Sequence, residues 1–179
     1  MKMEERPDKR RTVKRAPGEV TNFTLLLASA MSGFKPDFDK VTSVSTIAFL
    51  ADGRLVLTEE NRGPDVPGGH VQEGEEDAEE TARREALEEA GITLGALTYL
   101  GAIQSDHYGT ATEDLTYMVM MTGLVEAEGP VPAGMKKHIM TVEEFKASLR
   151  AAGRGIAEIL CRMVDEAYAL LFGNPAAQA

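Results

Sequence analysis

The chain has no tryptophan, one cysteine, three histidines and only 6% aromatic residues across its 179 positions. The lone Cys161 excludes a disulfide framework and any zinc site built on several thiolates. His70, His107 and His138 lie too far apart in sequence to form a histidine metal cluster. No run reaches the ~18 apolar residues that a membrane-spanning helix requires. The stretch Phe23 to Met31 is partly apolar, but Thr24 and Ser29 interrupt it and no clean cleavage site follows. We therefore read no signal peptide and expect a reducing, cytoplasmic setting.

Positive charge is also scarce outside one segment. Residues 1–17 carry seven Lys/Arg and three acids, for a net charge of +4, whereas the other 162 residues carry 12 bases and 26 acids, for −14. An acidic body repels long polyanions, which argues against a nucleic-acid-binding domain. The first 20 residues read as a basic, disordered arm. Hydrophobic residues at 43% and charged residues at 27% fit one globular domain in the remainder.

After the arm, Thr21 to Ser32 reads as a short amphipathic helix capped by Asn22 and ended by Gly33, with a linker to residue 40. Its leucines need a surface, either the body of the chain or a second copy in a homodimer. Val41 to Leu50 is rich in β-branched residues and reads as a strand, returning through an Asp52-Gly53 turn into Arg54 to Glu59. Gly63 to Gly69 contains two prolines and three glycines and reads as an irregular loop. Asp77 to Ala90 reads as a helix capped by Asp77, with Glu80 completing a capping box and Gly91 ending it. Two strands are expected at Thr98 to Gln104 and Leu115 to Leu124, and a short one at His138 to Met140. Thr141 and Glu144 have capping-box spacing and start a helix to about Arg150, and Ile156 to Phe172 is strongly amphipathic. Strands interleaved with helices, with hairpins among them, imply an α/β fold on a mixed sheet over residues 41–172 and a short tail from 173.

Nine acids and only two bases lie between Glu73 and Glu89. On a helix, Glu85, Glu88 and Glu89 stand at i, i+3 and i+4 and share one side. Glu89 also falls near the bearing of Ala82 and Ala86, the small-residue stripe that should face a sheet. A carboxylate held there without a partner costs several kcal/mol, on the order of 2–7, or takes up a proton. A hard divalent cation such as Mg²⁺ resolves that conflict, because it binds carboxylate oxygens and bridges to phosphates. A solvated helix laced by pairs such as Glu80–Arg84 and Arg84–Glu88 is the plainer alternative. The preceding Pro67-Gly68-Gly69 favours the cation, since it lets backbone approach the carboxylates closely.

Gly69, then Glu75 or Glu76, then Arg84-Glu85-Ala86-Leu87-Glu88-Glu89-Ala90-Gly91-Ile92 resembles the Nudix box, Gly-x5-Glu-x7-Arg-Glu-U-x-Glu-Glu-x-Gly-U, where U is a bulky aliphatic residue. Two features depart from it. One extra residue stands between Gly69 and Arg84, and Ala86 replaces a larger aliphatic side chain. The resemblance implies a Nudix-type α/β/α sandwich and metal-dependent hydrolysis of a pyrophosphate bond in a small nucleoside diphosphate-linked substrate. Nucleotide sugars such as ADP-ribose, dinucleoside polyphosphates and nucleoside triphosphates all fit that class. It further implies Mg²⁺ or Mn²⁺ held by Glu85, Glu88, Glu89 and the Gly69 carbonyl, and an Arg84 that shapes the box through Glu75 or Glu76. A further acid from a later loop would serve as base or ligand, with Asp106, Glu113 and Asp114 as candidates.

Arg62 precedes the glycine stretch and suits a phosphate contact, while Tyr108 offers an aromatic face to a base. Each also has a plain reading as a surface residue. Cys161 falls in an amphipathic helix and reads as a buried apolar group. An alternative of another class is a Nudix module that senses a nucleotide without turning it over. All three metal-site glutamates are present, which favours the enzyme.

Overall fold

The computed structural model describes residues 19–174. The basic arm lies outside the described residues as far as residue 18, and so does the tail from residue 175.

Strands β1 (Phe23–Leu27), β2 (Val41–Phe49), β3 (Leu55–Glu60), β4 (Gly63–Asp65), β5 (Gly68–His70), β6 (Ile92–Ser105), β7 (Thr116–Glu128) and β8 (Lys137–Met140) form one mixed sheet. Its path runs β1-β6-β7-β2-β3-β4, with β5 added on β2 and β8 on β3. β2 and β7 run parallel, and β6 and β7 form a long antiparallel pair. The centre of the sheet is buried on both faces, which is why β2 carries a nearly unbroken β-branched and apolar run.

Helix α1 (Ala78–Ala90) covers one face, and α2 (Val142–Ala151) with α3 (Ala157–Phe172) covers the other. The alternation along β2 makes these two layers. Val44 and Ala48 join the clusters with Ala82 and Ala86 of α1. Ile47 and Phe49 point the opposite way and join Phe145, Leu160, Met163 and Val164 of α2 and α3. Each large side chain buried this way contributes roughly 1.5–3 kcal/mol. The result is the expected α/β/α sandwich.

The helix starts follow the expected cap chemistry. Asp77 Oδ1 accepts the Glu80 amide at 2.9 Å, and Gly91 closes α1 at φ 64°, a left-handed conformation that glycine adopts without strain. Glu80 completes the cap one residue early, accepting the Glu76 amide rather than that of Asp77. Thr141 and Glu144 form the complete reciprocal box at the start of α2.

Two expectations are corrected. Residues 21–32 are not a helix. Phe23–Leu27 is an edge strand paired antiparallel with β6, from Phe23 opposite Ser105 to Leu27 opposite Gly101, and turns follow it. Tertiary pairing overrides the local leucine pattern here, because alternate residues Leu25 and Leu27 reach the α3-side core of the same chain. Those leucines therefore find their apolar partners within the chain. Asn22 caps nothing and instead donates to Asp106 through its backbone N–H at 2.7 Å and its side chain at 2.9 Å. The second correction is at Gly63 to Gly69, where β4 and β5 replace the expected irregular loop. Glycines and prolines suit short edge pairings whose neighbours come very close.

Candidate active site

The acidic helix and the glycine strand meet at β5. A Cβ on Gly68 would sit 2.7 Å from the Ser45 Cα, and one on Gly69 would sit 2.6 Å from the Glu85 Cδ. Gly68 thus passes against the β2 backbone, where only glycine fits, and Gly69 passes against the end of the Glu85 side chain. Gly68 donates its N–H to Glu89 Oε2 at 3.0 Å.

Arg84 organises the acids around it. Its Nε donates to Glu75 Oε1 at 2.7 Å, its Nη1 to Glu85 Oε1 at 2.6 Å and Glu88 Oε2 at 3.1 Å, and its Nη2 to the His70 carbonyl at 2.9 Å. The first glutamate of the box is therefore Glu75. Glu75 also accepts from the Gln72 N–H and the Thr81 hydroxyl. Because α1 runs without a break from Ala78, the extra residue is absorbed in the turn before the helix. Ala86, the other departure, is fully buried beside Ala48, Val56 and Ile92.

Electrostatics separate these carboxylates. Burial alone would raise Glu75, but hydrogen bonds from Arg84, Gln72 and Thr81 outweigh it and hold the carboxyl below its ordinary range. Glu85 is raised, chiefly by burial and against the pull of Arg84, with repulsion from Glu88 and Glu75 added. Glu89 is pushed up to about 7 by burial, against the Gly68 N–H, with Glu85, Glu60 and Asp65 adding repulsion. Glu88 is more exposed, its side chain retaining 56% of its accessible surface.

Among the described residues, no three His, Cys, Asp or Glu side chains stand close enough together to hold a metal ion. Arg84 Nη1 instead pairs with both Glu85 and Glu88. The donor set nevertheless fits a hard divalent cation. Half-buried Glu89 accepts the Gly68 N–H and faces the like charges of Glu85, Glu60 and Asp65, and the bare Gly69 backbone lies against Glu85. Released from Arg84, Glu85 and Glu88 would add carboxylate oxygens to that donor set.

On the α3 side of β5 lies a cleft of about 630 Å³. Gly68, Gly69 and His70 form part of its wall, and Glu60, Arg62, Asp65 and Arg154 supply charge. Phe23, Ile103, Met118, Met120 and Ile156 give it an apolar side. The expected Arg62 thus joins the cleft. Tyr108, Asp106, Glu113 and Asp114 are not among its lining residues, and Tyr108 instead packs edge-on against His107 at 4.9 Å between ring centroids. Phe23 is the aromatic ring that lines the cleft.

Glu60, Asp65, Arg154 and Phe23 escaped the sequence analysis. Glu60 follows the end of an expected strand, Asp65 sits in the stretch read as a loop, and Arg154 lies between two glycines. No local pattern marks them, because long-range sheet pairing brings them together.

A model of the NUDIX domain family matches residues 39–161. No curated protein matches the chain. Among solved structures, it is similar to a mutant form of the Bacillus subtilis pyrophosphohydrolase BsRppH, with 26% identity over 66% of this chain and 72% of that one and a TM-score of 0.50. It is also similar to a NUDIX hydrolase from Nitrosomonas europaea, with 24% identity over 70% of this chain and 86% of that one and a TM-score of 0.50. The second likeness speaks to the fold alone. With the family matched over most of its length and the box built as described, the chain belongs to the NUDIX domain family and is a Nudix hydrolase.

Proposed function

We propose that the chain hydrolyses a pyrophosphate bond in a small nucleoside diphosphate-linked substrate, using Mg²⁺ or Mn²⁺ held by Glu85, Glu88, Glu89 and the Gly69 carbonyl. The observation that carries this reading is the crowding of carboxylates against a glycine strand that also walls a cleft of nucleotide size. Nudix hydrolases generally use divalent cations. A bound cation would neutralise phosphate charge and make a coordinated water more acidic.

The chain's own residues do the rest. Arg84 holds α1 to β5 through the His70 carbonyl and so fixes the helix that carries Glu85 and Glu89. One of Glu85, Glu88 and Glu89 would orient or deprotonate the attacking water. Arg62 offers a guanidinium to a phosphate at the cleft, and the apolar side with Phe23 accepts a nucleobase. A buried free thiol at Cys161 accords with a reducing, cytoplasmic setting.

The test is phosphate release over a panel of ADP-ribose, dinucleoside polyphosphates and nucleoside triphosphates, with Mg²⁺, with Mn²⁺ and with EDTA. The reading expects turnover of at least one member, lost in EDTA. It also expects Glu88→Gln and Glu89→Gln each to lower kcat by about 10²-fold or more with the fold intact. Saturable nucleotide binding with no turnover of any member would overturn it.

A further inference from the structure

We propose that Arg154 and the amino end of α3 form a phosphate-binding site in the wall of the cleft, which takes the substrate phosphate lying away from the carboxylates of α1. The proposal rests on the reading of the substrate as a pyrophosphate compound.

Three independent features of the 154–156 segment point to an anion. The first is an unused donor. Arg154 keeps only 8% of its side-chain surface and pairs through Nη1 with Asp65 Oδ2 at 2.6 Å. Its Nε is buried with no hydrogen-bond partner. A planar guanidinium can hold one carboxylate on one edge and a phosphate on another, so Asp65 fixes the side chain while leaving the Nε edge for a ligand.

The second feature is an uncapped helix. α3 runs for 16 residues, and its N-cap residue, Ile156, supplies no side-chain acceptor to the first turn. Ala157 donates its N–H to the Arg154 carbonyl at 3.0 Å, which leaves the next amides of the first turn as donors in want of an acceptor, and the helix dipole places partial positive charge there. Arg154, Gly155 and Ile156 all line the cleft.

The third feature is room. A Cβ on Gly155 would meet nothing within 4 Å, so the backbone between the arginine and the helix start opens onto free space. Binding turns the guanidinium on its Asp65 contact until the Nε edge meets the phosphate in that space.

Charge balance gives the site its purpose. The cleft is lined by the acids Glu60 and Asp65 and by two arginines, Arg62 and Arg154. A pyrophosphate compound brings negative charge into it. A cation at the α1 carboxylates would offset one phosphate, and the other needs a donor on the α3 side. A purely structural role for Arg154, pinning the 152–156 segment to β4 through Asp65, makes a different prediction.

The experiment is a calorimetric titration of the full chain with inorganic pyrophosphate in excess Mg²⁺, with melting temperature as the folding control. Arg154→Gln removes the donor. Gly155→Asp puts a carboxylate into the open space and leaves the Arg154–Asp65 pair untouched. Asp65→Asn weakens the pair and leaves the guanidinium. We expect Arg154→Gln and Gly155→Asp each to raise Kd at least tenfold, and Asp65→Asn to raise it less than threefold. Wild-type affinity in Gly155→Asp, equal losses in Arg154→Gln and Asp65→Asn, or no binding by the wild-type chain would overturn the proposal. A wild-type chain that binds pyrophosphate through Arg154 yet hydrolyses no substrate of the panel would sink the hydrolytic reading alone. Turnover by the wild-type chain with unchanged Kd in both variants would sink this site alone.

Discussion

Arg84 Nε donates to Glu75 Oε1 at 2.7 Å, and both side chains are largely buried. Through its other nitrogens the same guanidinium reaches the His70 carbonyl of β5 and the Glu85 carboxylate of α1. One arginine thus ties together the turn before the helix, the helix itself and the glycine strand.

Removing that carboxylate leaves Arg84 with Glu85, Glu88 and the His70 carbonyl but takes away the charged partner of its Nε. Glu75→Gln should cost about 1.5–3 kcal/mol of stability, the scale of a hydrogen bond to a charged group. Glu76→Gln, at an exposed position, should stay within about 0.5 kcal/mol. The pH dependence follows from the sign of the shift. Glu75 is depressed, so its contribution is present above the ordinary carboxylate value and is lost as pH falls through its folded value. Urea melts should therefore show that Glu75→Gln loses less stability than wild type on acidification below about pH 4.5, the ordinary glutamate value.

Glu89 works in the opposite direction. Its folded value, about 7, lies above the ordinary 4.5, so the metal-free fold keeps its full stability below the ordinary value and loses the contribution as pH rises through 7. Thermal melts in EDTA should show that decline between pH 5 and 8, with Glu89→Gln flattening it. Excess Mn²⁺ should restore stability most at the alkaline end, by about 2.7 kcal/mol at one hundred times Kd.

The two adjacent glycines of β5 should fail in different ways. Gly68→Ala forces a methyl against the Ser45 backbone and should destabilise by about 1–3 kcal/mol. Gly69→Ala meets the mobile end of the Glu85 side chain, so stability should suffer less while turnover collapses. Equal stability losses with equal residual activity would contradict the close approach described for β5.

The edge strand has its own signature. Leu27 is buried at 4% exposure in the α3-side core. Leu27→Ala should cost about 2–5 kcal/mol by chemical denaturation, as a buried core leucine does. A loss below 0.5 kcal/mol would contradict the burial of Leu27 against the α3-side core.

Part of this structure was legible in the sequence. The box from Arg84 to Ile92 was readable because helix periodicity, capping and acid spacing are local, and α1 begins and ends where Asp77 and Gly91 place it. The choice of Glu75 over Glu76 was not readable, because a one-residue insertion can be taken up on either side until the turn is seen. The strand Phe23 to Leu27 is not legible locally, because three leucines in a row single out neither a helical nor an alternating period, and only the partner β6 decides. The cleft was least legible. Arg154 and Asp65 are 89 positions apart, and nothing near either residue announces the other.

The most direct measurement is anomalous diffraction from crystals soaked in Mn²⁺. The account predicts a peak between the carboxylates of Glu85 and Glu89 beside the Gly69 backbone, with Glu85 and Glu88 turned away from Arg84. Density for manganese elsewhere only, with both side chains still held by Arg84, would contradict it.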